Sequence, residues 1–161
     1  MKRVTNCISV GLATCFYLTF PIVRWSKAHK LRWTGTGFIG TLAGIPTAYY
    51  LPTDLFRCLL TLTGALFISV AISDIAEDLL GEKDDQRIVI DEWVGYLASV
   101  ALLPKTPLVL GAGFVLFRIV DTLKPAGINR LAKLPGGWGV VMDDVAGGIL
   151  VNAILRLFLL F

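Results

Sequence analysis

Three stretches of this chain carry charge into otherwise apolar sequence. Asp91 and Glu92 follow Ile88-Val89-Ile90, and Arg118, Asp121 and Lys124 fall at successive i+3 steps where another apolar run ends. Asp143 and Asp144 follow Gly139-Val140-Val141-Met142. Adjacent carboxylates a few ångströms apart repel by about 4 kcal/mol at an effective dielectric of about 20. An all-oxygen cluster of this kind suits a hard divalent cation, Mg²⁺ or Mn²⁺. The two cations suit an anionic ligand: Arg118 can grip a phosphate through two parallel hydrogen bonds, and Lys124 acts as a point charge. Carboxylates, a hard metal and phosphate-gripping cations together describe phosphoryl chemistry, with a lipid headgroup as the substrate.

Each feature also has a simpler origin. An acidic pair at a helix start is favoured by the helix dipole alone, and Arg118 with Asp121 could be a plain i,i+3 ion pair. It is the conjunction of these stretches that argues for a site. Asp74, Glu77 and Asp78 share one helical face at the end of an apolar segment and read as solvated. Other chemistries lack their residues. His29 is the only histidine, which excludes mechanisms needing two. The sixth residues after Cys7, Cys15 and Cys58 are Ala13, Pro21 and Gly64, so no Cys-x5-Arg nucleophile loop exists. No Asp-x-Asp follows a strand-like run. Metal-activated water remains.

The elements that must position these residues are set by composition. Of the 161 residues, 55% are hydrophobic and 17% charged, and mean hydropathy is +0.72. Soluble domains average about 45–50% apolar and about 25% charged. This chain has too little charge to coat a globule, and it reads as an all-α, polytopic membrane helical bundle. A span needs about 20 residues, so the length allows up to six membrane-associated helices in a single domain, 1–161. Six apolar segments answer to that: Val4–Val23, Gly35–Leu51, Leu55–Ile72, Ile88–Leu103, Leu108–Val120 and Gly139–Phe161. Met1-Lys2-Arg3 and the run after them outline a signal peptide. The sequence beyond that run is equally apolar, with no clear cleavage site, so Val4–Val23 is expected to be a retained first span. The net charge of +3 and the lack of a basic run with interleaved aromatics argue against nucleic acid. The three cysteines lie in apolar stretches and read as small buried hydrophobes. No signal points to a particular oligomeric state.

If all six segments cross, the long connections (residues 24–34, 73–87 and 121–138) share one side. That side holds Arg24, Lys27, Lys30, Arg32, Lys83, Arg87, Lys124, Arg130 and Lys133, against Lys2, Arg3, Arg57, Lys105 and Arg156 opposite. The positive-inside rule then puts the long loops in the cytoplasm. A charge at a helix centre costs about 2.5–3.5 kcal/mol. In this arrangement Asp91, Glu92, Arg118, Asp121, Lys124, Asp143 and Asp144 all lie at the long-loop ends of their segments, near one face of the membrane.

The three polar motifs, in order and spacing, resemble the phosphatidylglycerophosphatase A family. They are Ile88-Val89-Ile90-Asp91-Glu92-Trp93-Val94-Gly95, Phe117-Arg118-Ile119-Val120-Asp121-Thr122-Leu123-Lys124-Pro125, and Gly136-Gly137-Trp138-Gly139-Val140-Val141-Met142-Asp143-Asp144. The similarity covers about residues 35–155 as a family-like core, with 1–34 a variable first helix and basic loop. It implies a Mg²⁺-dependent enzyme of the bacterial inner membrane, its active site toward the cytoplasm, that takes the terminal phosphate from phosphatidylglycerophosphate. The family's acidic residues fall on Asp91, Glu92, Asp121, Asp143 and Asp144, and its basic ones on Arg118 and Lys124. The chain departs from the family in places. Where the family usually has Pro-Gly-Thr-x-Gly-Ser, the best ungapped match is Thr36-Gly37-Phe38-Ile39-Gly40-Thr41, and both a phosphate cradle and helix packing stand open for its glycines. Asp85 and Gly127 each stand where a proline is usual.

On this reading Asp91, Glu92, Asp143 and Asp144 hold one or two metal ions, and Arg118 and Lys124 hold the phosphomonoester of a phospholipid in the bilayer. Asp121 orients the attacking water or holds Arg118, and Asp91 and Glu92 join it as catalytic residues. The rival class is a small ion-coupled transporter or cation channel, since intramembrane carboxylates also mark ion pathways. A pathway predicts charge spread through the membrane's depth. Here it collects at one end.

Overall fold

The computed structural model describes residues 2–30, 34–83 and 85–159. Arg32 of the expected basic loop and the last two residues of the final apolar segment lie outside them. The described residues form seven α-helices and a 3₁₀ helix, with no strand. In order they are α1 (Lys2–Ala13), α2 (Thr19–Ala28), α3 (Thr36–Tyr49), α4 (Leu55–Leu80), α5 (Ile90–Val100), α6 (Pro107–Leu123), the 3₁₀ helix Pro125–Lys133 and α7 (Gly137–Leu159).

The short α5 lies at the centre and packs against α3, α4, α6 and α7. Its apolar residues Ile90, Val94, Tyr96, Leu97 and Val100 are all buried, each contributing roughly 1.5–3 kcal/mol by leaving water. Around Tyr96, Leu97 and Val100 close Phe117 and Val120 from α6 and Val151 and Leu155 from α7, while Ile90 and Val94 cluster with Val70 of α4 and Val140 and Val141 of α7. Glycines let the backbones meet: a Cβ on Gly148 would overlap the Gly95 carbonyl, and one on Gly40 of α3 would overlap that of Val89. Polar ends inside this core are matched. The Tyr96 hydroxyl donates to Leu110 O at 3.0 Å. Asn152 Nδ2 on α7 donates to Ser99 O and Ala101 O at 3.1 and 2.9 Å, satisfying carbonyls that the end of α5 leaves open.

Local signals fix the helix ends. Asp54 caps α4 by accepting from Arg57 N at 2.9 Å, and Gly81 closes it at φ +74, a conformation glycine adopts without steric cost. Thr106 caps α6 ahead of Pro107. The start of α7 is capped from another helix: Asp74 Oδ1 on α4 accepts from Gly137 N at 3.1 Å. Asp74 and Asp78 are exposed, as expected of a solvated face shared with Glu77, and Asp74 in addition ties α4 to α7. We expect Asp74→Ala to cost about 1 kcal/mol, the usual worth of a cap, and Asp74→Asn much less. Thermal unfolding of both variants in detergent checks this, the alanine melting lower.

The first apolar segment differs from expectation. It does not form one span but breaks into α1 and α2, because Cys15, Phe16 and Tyr17 take φ of 49, 55 and 64°. Thr14 holds the break: its hydroxyl donates to Val10 O at 2.7 Å and accepts from Tyr17 N at 3.2 Å. At 12 and 10 residues these helices are each about 18 Å long or less. The turn brings Ala13 O to Val89 N at 2.8 Å and Thr19 Oγ1 to Arg87 O at 2.8 Å, so the N-terminal helices clamp the stretch of chain that leads into α5. Cys58 is buried as expected, whereas Cys7 is exposed.

Among the described residues, α4 is long and apolar enough to cross a membrane, with 26 residues and a window of mean hydropathy 2.0. Its Phe56, Leu60, Phe67 and Ile68 point outward, as do Leu108, Val115, Ile119 and Leu123 of α6.

Candidate active site

The charged residues meet where the start of α5, the end of α6 and the second turn of α7 converge. Asp91 and Glu92 sit in the first turn of α5, where the helix dipole favours negative charge. Arg118 and Asp121 share one face of the last turns of α6, and Asp121 Oδ2 lies 3.0 Å from Arg118 Nη1. Lys124, the residue that ends α6, takes a left-handed conformation at φ 42° and ψ 57°. From there its Nζ lies against Asp143 Oδ2, 3.3 Å from Asp144 Oδ1 and 3.4 Å from Asp121 Oδ1. All of these but Asp143 line a cleft of about 450 Å³, closed on one side by Thr36 and Gly37 at the start of α3.

Charge within the cleft is divided. Asp121 bridges the two cations, and Arg118 Nη1 also lies 3.9 Å from Glu92 Oε1 and donates to Thr41 Oγ1 at 3.4 Å. Burial works against the Lys124 charge, but Asp144, Asp143 and Asp121 more than offset it and hold the ammonium above the ordinary lysine range. Asp91, Glu92 and Asp144 form a separate group, each offering an oxygen within 4.8 Å of the others. Asp143 stands apart from that triad. Its Oδ1 accepts from Asp144 N at 3.1 Å, and its other oxygen meets Lys124.

The triad fits a cation. Glu92 Oε2 and Asp144 Oδ2 are buried and have no hydrogen-bond partner, a costly state for carboxylate oxygens unless positive charge compensates. Asp144 is only 3% exposed, so bulk water cannot serve. Three hard oxygen donors in that spacing suit Mg²⁺ or Mn²⁺, with further positions left for water.

Two further contributors fall where the sequence departs from the family pattern. Gly37 is one: a Cβ there would overlap Glu92 Oε1 and come within 2.7 Å of Arg118 Nη1. The glycines of Thr36–Thr41 therefore divide, Gly40 serving packing and Gly37 the cleft. Those neighbours are ends of flexible side chains, so we expect Gly37→Ala to keep the fold while lowering activity roughly tenfold or more by displacing Glu92 and Arg118. Gly40→Ala, which meets a backbone carbonyl, instead lowers the melting temperature. Rates and melting curves on both variants separate the outcomes.

Asp85 is the second. It is buried at the edge of the cleft and accepts from Arg87 N and Nε at 2.9 and 2.8 Å, while the Arg87 guanidinium lies 5.1 Å from the centre of the Phe20 ring. The signal was the Asp-x-Arg spacing, a side-chain-to-backbone turn. Burial pushes the Asp85 carboxyl up, but Arg87 outweighs it and holds it below the ordinary aspartate range. A lowered folded value means stability present above about pH 4 and lost as pH falls through the folded value. Acid titration of unfolding should therefore show a step that Asp85→Asn lacks.

The sequence profile of the phosphatidylglycerophosphatase A family matches residues 9–159. The chain belongs to that family. It is 33% identical over 124 residues to phosphatidylglycerophosphatase A of Escherichia coli K12, covering 74% of this chain and 71% of that one. It is also 33% identical over 124 residues to a Bacteroides thetaiotaomicron protein provisionally named phosphatidylinositol-3-phosphatase, covering 72% and 76%. No solved structure matches the chain significantly. Membership makes this chain a lipid phosphatase, in agreement with the motifs, and sets aside the transporter or channel alternative.

Proposed function

We propose that this phosphatase hydrolyses phosphatidylglycerophosphate to phosphatidylglycerol in a Mg²⁺-dependent reaction. The observation that carries the reading is the adjacency, in one cleft, of the Asp91–Glu92–Asp144 triad, in which Glu92 Oε2 and Asp144 Oδ2 lack hydrogen-bond partners, and an Arg118–Asp121–Lys124 cluster. Asp91, Glu92 and Asp144 hold Mg²⁺ or Mn²⁺; the ion, when bound, supplies positive charge to the phosphoryl oxygens and acidifies water. Arg118 and Lys124 bind the phosphomonoester. Asp121 contacts both cations, which favours holding Arg118 over orienting water as its role, and Asp143 fixes Lys124. Water adds to phosphorus, the bond from phosphorus to the glycerol oxygen breaks, and that oxygen takes a proton. Inorganic phosphate leaves and the diacyl product stays in the bilayer.

The outward-facing apolar residues of α4 and α6 support a multi-pass place in the bacterial inner membrane, with the cleft at the cytoplasmic face. The test is phosphate release in detergent, with and without Mg²⁺, from phosphatidylglycerophosphate and phosphatidylinositol 3-phosphate. Release from the first substrate, abolished by chelation and restored by Mg²⁺, is expected. Preference for the inositol lipid overturns the substrate, and release indifferent to chelation overturns the metal.

A further inference from the structure

We propose that the apolar groove between α3 and α6 seats an acyl chain of the lipid phosphate; this rests on the reading above. The groove, about 530 Å³, runs along the outer face of α6 and shares Gly35, Arg118 and Thr122 with the charged cleft. Arg118 thus belongs to both, its stem beside apolar surface and its guanidinium among carboxylates, the usual disposition of a long cationic side chain at a polar boundary. An amphiphile whose phosphate meets Arg118 has an apolar path leading directly away.

The walls suit a hydrocarbon chain. Val115, Ile119 and Leu123 stand at i, i+4 and i+8 on α6, which makes one ridge about 12 Å long. All three are exposed, at 55, 47 and 71%. From the α3 side Phe38 meets Phe114 of α6 edge to face with ring centroids 5.0 Å apart. Phe38 is 52% exposed, and a large aromatic left that open at the rim of a charged cleft needs an apolar partner. Two other apolar cavities are less suited. Those lined by Leu62, Ala98 and Ile149, and by Leu12, Ile72 and Trp93, share no lining residue with the cleft, whereas the α3–α6 groove joins it at Arg118.

The experiment uses the full chain in nanodiscs with two photoreactive probes, each with a diazirine in one acyl chain. One is phosphatidylglycerophosphate and the other phosphatidylcholine, which lacks a phosphomonoester. We expect the phosphomonoester lipid to label α3 and α6 around Phe38 and Ile119 several-fold more than the control does. Equal labelling by both means ordinary lipid contact and overturns the groove. Kinetics give a second readout: Phe38→Ala and Ile119→Ser should lower the preference for dioleoyl over dihexanoyl substrate about tenfold, mainly through KM. An unchanged preference also overturns it. The two readings fail separately: hydrolysis without selective labelling removes the groove alone, and selective labelling without hydrolysis removes the reaction alone.

Discussion

An Asp144→Asn enzyme is expected to release phosphate at least about 10²-fold more slowly than the unaltered chain. The amide has the carboxylate's shape, so packing survives: the Asp144 backbone still closes on Gly95 and the helix is not asked to move. Charge is what changes. Asp144 is one of three residues whose oxygens lie within 4.8 Å of each other, and its Oδ2 has no hydrogen-bond partner. Removing a ligand from such a set should cost more than the 10–100-fold typical of groups that merely orient ligands. Lys124 also loses one of its three carboxylate contacts. Initial rates across a Mg²⁺ titration should show a lower maximum and a higher metal requirement. Full activity at the ordinary Mg²⁺ concentration would remove Asp144 from the metal site.

Arg118→Lys is expected to lose about 10²-fold in kcat/KM, although it keeps the charge. Loss of a single preorganised donor to a developing anion costs about 10²–10³-fold in well-studied enzymes. Arg118 Nη1 already serves Asp121, Glu92 and Thr41, and the planar fork allows it to face an anion at the same time. A lysine has one nitrogen for all of these. Unchanged turnover in this variant, measured with its melting temperature, would make Arg118 a purely structural partner of Asp121.

The convergence of the charged residues was legible in sequence because each sits at the end of an apolar run, and those ends had to share a level once the runs packed side by side. The division of labour among them was not. Asp143 and Asp144 are neighbours in sequence, but successive helical residues point about 100° apart. Both lie within reach of Lys124, and it is the packing of α7 on α5 that brings Asp144 alone to Asp91 and Glu92. Asp74 was hidden for a similar reason, since its partner, Gly137, is 63 residues away. Five of the six apolar segments correspond to α3, α4, α5, α6 and α7. Hydropathy could not find where the first one breaks, because Cys15, Phe16 and Tyr17 are as apolar as their neighbours and the turn is held by Thr14. The far end of α4 was underestimated too: Ser73, Asp74 and Glu77 interrupt the apolar pattern without interrupting the helix.

The left-handed backbone at Lys124 is held in place by what its side chain reaches. A residue other than glycine in that conformation costs roughly 1 kcal/mol or more, and glycine would relieve it. Glycine would also strip Asp121, Asp143 and Asp144 of the ammonium that reaches them from that backbone, and leaving buried carboxylates uncompensated costs more than the strain, about 3–5 kcal/mol. Stability and turnover therefore select the same residue here, and a screen for sturdier variants should leave lysine at this position.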